Sequence, residues 1–140
     1  MLRKLVLLSI IFTLTSCLSD DTEDLGITQL GIITEVTAPE EVVYGETYTF
    51  DVKIQRPYEC LEFSFFEIDK STDKYILIKA ILTEEYMDCD LDEQEELIDK
   101  SIEYTIDKHE EIEFRFVSER NDDGTYSTVK KVIPVIDEDE

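Results

Sequence analysis

YTFDVKIQ, residues 48–55, decides how this chain folds. Tyr48, Phe50, Val52 and Ile54 are apolar, while Thr49, Asp51, Lys53 and Gln55 between them are polar. A repeat of two places every second side chain on one face of a pleated strand, so the stretch reads as a strand with one face buried. The pattern recurs in Ile102, Tyr104 and Ile106, and again in Ile112, Phe114 and Phe116. Leu61, Phe63 and Phe65 follow it until Phe66 and Ile68 switch face, which predicts a β-bulge. Tyr75 to Leu82 is almost wholly apolar and suits either a strand buried on both faces or a turn of helix; its neighbours favour strand.

The remaining strands lie around Ile32 to Thr37 and from Val129 to Ile136, where Pro134 suits an edge strand or a bulge. Turn residues separate them: Ala38-Pro39, Tyr44-Gly45, Gln55-Arg56-Pro57 and Asn121-Asp122-Asp123-Gly124, the last a hairpin loop ending in glycine. Leu91 to Lys100 has a poor helical face and reads as a loop with at most one turn. About seven short strands without a convincing helix predict an all-β protein, an antiparallel β-sandwich.

The opening residues have another purpose. Arg3 and Lys4 precede an apolar run from Leu5 to Leu14, which is too short for a bilayer span of about 20 residues and has the build of a secretory signal. Leu14-Thr15-Ser16-Cys17 resembles the lipobox of bacterial lipoproteins. The resemblance implies cleavage after Ser16 and acylation of Cys17, with each buried methylene contributing about 0.8 kcal/mol to membrane retention. Leu18 follows the cysteine, where an aspartate would favour the inner membrane. Ser19-Asp20-Asp21-Thr22-Glu23-Asp24 is similar to the acidic export signal of surface lipoproteins of the Bacteroidota. The expectation is an outer-membrane, lipid-anchored protein facing the cell surface, with the periplasmic face as the alternative.

Residues 30–137 resemble the immunoglobulin-like domains of such lipoproteins. Ile33 to Pro39 and Gly45 to Val52 look like their first two strands. The antibody pattern itself is missing: there is no Trp, no cysteine in Tyr48–Gln55 or Ile112–Val117, and Ile112 stands where a corner tyrosine would be expected. The expected organisation is therefore a signal peptide (1–16), a lipidated Cys17 with an acidic tether (17–29), an immunoglobulin-like β-sandwich (30–137) and an acidic tail (138–140).

Without residues 1–16 the chain retains 11 basic and all 35 acidic residues, a net charge of −24. Such a balance disfavours nucleic acid, whose binding rests on Lys and Arg neutralising phosphates. It equally disfavours docking on anionic lipid headgroups. In an oxidising compartment Cys60 and Cys89 are expected to form a disulfide, stabilising by about 3–4 kcal/mol on the chain-entropy account.

Chemistry is sparse. His109 is the sole histidine and sits in the polar turn Lys108-His109-Glu110-Glu111, which suits a solvated turn residue better than a general base. One histidine and a cysteine pair supply none of the usual zinc sets, and no Gly-x-Ser-x-Gly elbow or phosphate-cradling glycine loop occurs. Asp88, Asp90, Asp92 and Glu93 offer oxygen ligands, but Leu91 and Gln94 break the calcium-loop pattern and favour a solvated acidic loop. No enzyme activity, cofactor or metal is expected. Tyr58 and Tyr86, near the two cysteines, either contact a ligand by stacking on a sugar or pack over the disulfide. The expected function is a non-catalytic binding or structural module of the cell envelope whose contacts lie in Pro57–Glu59 and Glu84–Lys100. The alternative is a carbohydrate-binding or accessory subunit of a surface glycan-uptake system. The partner, protein or glycan, is not legible.

Overall fold

The computed structural model describes residues 28–84 and 96–137. The described residues form an all-β protein with no helix. Nine strands follow in chain order: β1 (Thr28–Thr37), β2 (Val42–Val43), β3 (Thr47–Arg56), β4 (Leu61–Asp69), β5 (Ile76–Glu84), β6 (Glu96–Thr105), β7 (Ile112–Arg120), β8 (Tyr126–Ile133) and β9 (Val135–Ile136). Seven of them join one sheet in the order β6-β3-β1-β5-β7-β8, with β4 pairing the other side of β5, while β2 and β9 make a short parallel pair.

One strand holds both layers. The first half of β1 pairs β5, Thr28 opposite Thr83 and Gly31 opposite Ala80, and its second half pairs β3, Ile33 opposite Ile54 and Thr37 opposite Asp51. The ribbon folds over at this strand, so the inner faces of β3 and β6 meet those of β5 and β7. Phe50 of β3 lies 4.9 Å from Phe114 of β7, and Tyr104 of β6 lies 5.2 Å edge-on from the same ring. Phe50, Phe114 and Phe116 are fully buried, each contributing roughly 1.5–3 kcal/mol through burial. Gly31 makes the fold-over feasible: a Cβ there would lie 2.6 Å from Ile54 Cγ2.

The alternating stretch 48–55 is strand β3, with Phe50, Val52 and Ile54 inward as its period requires. The predicted bulge is present in β4, where the register with β5 shifts between Phe63 and Phe65. It falls earlier than the face switch at Phe66 suggested, so Phe65 turns outward and is 51% exposed. Strand β5 is buried at Ile76, Ile78, Ala80 and Leu82 and half-buried at Leu77, Lys79 and Ile81, as befits a strand with neighbours on both sides. The hairpin at Asn121–Gly124 closes with Asn121 N–H donating to the Thr125 carbonyl and Gly124 at φ 83°. Pro134 separates β8 from β9, and its carbonyl accepts from Val42 N–H.

Three expectations are corrected. The sheet is mixed rather than antiparallel, because β5 and β7 run parallel, Ile76 beside Phe114 and Ile78 beside Phe116. Residues 96–100, read as loop, form the start of β6; β3 offers a ten-residue ladder from Thr47–Thr105 to Arg56–Glu96, and backbone pairing overrides the weak apolar pattern. Thr28 and Gln29, assigned to the tether, already belong to β1 because Thr83 and Leu82 supply partners. Residues 1–27, 85–95 and 138–140 lie outside the described residues, and with them the signal segment, the rest of the tether and the acidic tail.

The exposed edges are guarded. On edge strand β6, Lys100 stands opposite inward-facing Val52, and its ammonium lies 5.2 Å over the ring of Phe63. An inward charge and a bulge are both devices that discourage edge-to-edge pairing.

Candidate functional site at the Tyr44 end

The two ends of the sandwich are chemically distinct. The first gathers the end of β3, the start of β4, the end of β5 and the start of β6. Arg56 is 6% exposed here. Its guanidinium donates to the carbonyls of Glu59 at 3.4 Å and Leu61 at 3.2 Å, to Glu62 at 3.1 Å, and to Glu96, leaving Nε as a buried donor without a hydrogen-bond partner. One cation thus ties three strands and the turn between two of them.

Two predicted site residues lie at this end. Tyr58 and Cys60 are half-buried and pack against the hydrophobic core. The Tyr58 carbonyl also accepts from Leu61 N–H at 3.2 Å. Cys60 immediately precedes β4, whose first residue pairs with Glu84, the last of β5, so the hairpin expected between the cysteines is present. Cys89 and Tyr86 lie outside the described residues, as do Cys17 and the acidic positions Asp88, Asp90, Asp92 and Glu93.

The second end is built on a turn. Gly45 at φ 83° reverses the chain, Glu46 N–H donates to the Val43 carbonyl, and Gly45 N–H donates to the Ile106 carbonyl at 2.9 Å. The Tyr48 hydroxyl accepts from Val43 N–H at 3.0 Å and donates to Glu46 at 3.2 Å. These bonds hold Tyr44 beside the loop between β6 and β7. There its ring stacks on His109 with centroids 3.7 Å apart and an 18° interplanar angle. His109 Nδ1 is 3.8 Å from Asp137, just beyond β9. Tyr44 is 46% exposed and the His109 side chain 66% exposed.

Beside the stack runs an open cleft of about 370 Å³ between residues 73–76 and residues 108–113, His109 among them. Lys108 donates across it to the Asp73 carbonyl at 3.2 Å. A triad lies at the same end of the sandwich, outside the cleft's lining. Lys70 Nζ lies 2.7 Å from Asp107 and 4.6 Å over the Tyr104 ring, and the Tyr104 hydroxyl donates to Asp107 at 3.0 Å. Burial works against the Asp107 charge, but Lys70 and Tyr104 outweigh it and hold the carboxyl below its ordinary 3.8. Lys70 is raised correspondingly, chiefly by Asp107, and burial raises Tyr104. On the outer wall Arg115 lies 3.8 Å over the ring of Tyr75, and its Nε donates to Glu113 at 2.6 Å. Arg115 and Lys130 together lower the Glu113 carboxyl.

No family model, curated protein or solved structure matches this chain. The geometry of the two ends therefore carries the functional argument.

Among the described residues no group of three or more His, Cys, Asp and Glu side chains is arranged to hold a metal, and no helix is long and apolar enough to cross a membrane. Sequence reading placed His109 in a polar turn, where it is, but missed Tyr44 as its partner. The two residues lie far apart in the chain and meet where Gly45 N–H donates to the Ile106 carbonyl and Ile106 N–H donates to the Glu46 carbonyl, clipping the turn to the end of β6. The one local signal was an aromatic residue before a turn glycine.

Proposed function

We propose that the chain is a lipid-anchored, non-catalytic binding module of the bacterial cell envelope, held on the outer membrane by the acylated Cys17 and facing the cell surface. The observation that carries the reading is where the first described strand begins. β1 starts at Thr28 beside Thr83, at the Arg56 end, whereas the Tyr44–His109 stack lies at the opposite end of a ten-residue strand. At about 3.4 Å per residue, that is a separation of roughly 30 Å. A chain tethered through residues 18–27 would present the aromatic end outward, away from the bilayer.

Two finer points belong to the same proposal. A Cys60–Cys89 bridge is supported by the place of Cys60 at the mouth of the β4–β5 hairpin. An immunoglobulin-like kinship is supported by the antiparallel pairing of β1 with β3, the two stretches that carry the resemblance, while the parallel β5–β7 pair counts against it. A glycan-binding reading centred on Tyr58 is weakened, because that ring is half-buried against the core.

Expression of the full chain in a Gram-negative host tests the anchor. The native protein should stay with carbonate-washed membranes, and the Cys17→Ser variant should leave them. Retention of the variant would overturn the proposal, and labelling of intact cells with an impermeant amine reagent separates surface from periplasm.

A further inference from the structure

The outer wall of the cleft shows how this fold holds a guanidinium. Arg115 Cζ lies 3.8 Å from the centre of the Tyr75 ring and its Nε donates to Glu113, so an aromatic ring and a carboxylate share one planar cation. The same kinds of groups recur at the Tyr44 end, this time exposed. Tyr44 and His109 present a stacked pair of rings, Asp137 lies against His109, and Glu110 and Glu111 are exposed beside it. Two lysines line the cleft with His109: Lys108 donates to the Asp73 carbonyl, and Lys74 is exposed.

An arginine suits such a surface better than a lysine or a sugar. Its guanidinium is planar and weakly hydrated, stacks on aromatic rings and matches carboxylates with a fork of donors. The chain's charge of −22 adds a long-range attraction for any basic partner. We infer that the Tyr44–His109 end docks an arginine-bearing, basic segment of a partner protein, with the guanidinium stacked on the exposed rings and the carboxylates of Glu110, Glu111 and Asp137 accepting its hydrogen bonds. This deepens the binding-module reading and rests on it, but it does not depend on the lipid at Cys17.

The sole histidine makes the test local, because the imidazole resonances of the full chain report on this end alone. The detergent-solubilised full-length protein is titrated at low salt with blocked triarginine, and trilysine and maltotriose serve as parallel probes. The expected result is a saturable shift of the His109 signals by triarginine, severalfold tighter than by trilysine. Affinity should fall about tenfold in Tyr44→Ala, the size of one cation–π contact, and should be unchanged in Glu103→Gln on the outer face of β6. Equal affinities for triarginine and trilysine, with no loss in Tyr44→Ala, would reduce the interaction to diffuse attraction by a polyanion and overturn the inference. A shift by maltotriose alone would replace the basic partner with a glycan, and silence towards all three probes would remove the site. None of these outcomes bears on membrane retention through Cys17, which the Cys17→Ser experiment reads separately.

Discussion

At one end of this sandwich a cation is buried among acceptors from the chain itself; at the other, aromatic rings and carboxylates face water. Arg56 spends its donors on two carbonyls and two glutamates and is 6% exposed. Tyr44 and His109 stack on each other and still stand 46% and 66% exposed. The ingredients overlap, and the difference is what surrounds them. Where three strands converge on one side chain, charge becomes a structural tie whose removal leaves acceptors unmet. Where a two-residue strand and two loops meet, the same chemistry stays accessible and contributes little to stability.

Mutations test that contrast directly. Replacing Arg56 with Leu should have the largest effect, lowering stability by about 2–4 kcal/mol, read from the urea midpoint. An unchanged midpoint would mean the Arg56 end is held by packing alone. Next is Gly31→Ala, on the same side of the molecule, where the added methyl group meets Ile54 at 2.6 Å and Ala80 at 3.3 Å. Overpacking of this kind costs about 1–3 kcal/mol, and thermal unfolding should show it.

The open end should respond to pH more than to truncation. The Asp107 carboxyl is held below 3.8 in the folded protein, so its stabilisation is fully present above the unfolded value and is lost as pH falls through the folded one. The acid limb of a stability–pH curve should therefore flatten in Asp107→Asn below about pH 4. Asp107 is substantially exposed, so solvent screening limits the loss at neutral pH to about 0.5–1 kcal/mol. A curve unchanged in shape would show that Glu113, Asp69 and Asp123, whose carboxyls are also lowered, dominate instead. Smallest of all should be Tyr44→Ala, within about 0.5 kcal/mol of the native protein. A larger loss would make the stack a structural clamp and erase the contrast between the ends.

The strands were legible wherever burial is one-sided. Phe50, Val52 and Ile54 announce β3, and Ile112, Phe114 and Phe116 announce β7, because a half-buried strand must alternate. The first half of β6 was not legible. Glu96, Asp99, Lys100 and Ser101 carry no apolar period, and they are strand because β3 extends far enough to pair with them. The parallel β5–β7 contact was equally hidden, since a run apolar on alternate and intervening positions does not state which neighbour it will take. At the candidate site His109 was visible as a polar-turn residue. Its stacking with Tyr44 was not, because no local pattern links two residues that a backbone hydrogen bond elsewhere brings together.

By itself, then, the amino-acid order determined the all-β class, the bulge in β4 and the turns at Gly45 and Gly124, each set by side-chain alternation or by backbone freedom within a few residues. Tertiary structure alone decided that β1 is shared between the layers, that β5 lies parallel to β7, that Arg56 is buried, and that Tyr44 meets His109. Those outcomes depend on which distant strand supplies a free edge or an acceptor, and that is a property of the assembled sheet rather than of any short stretch of chain.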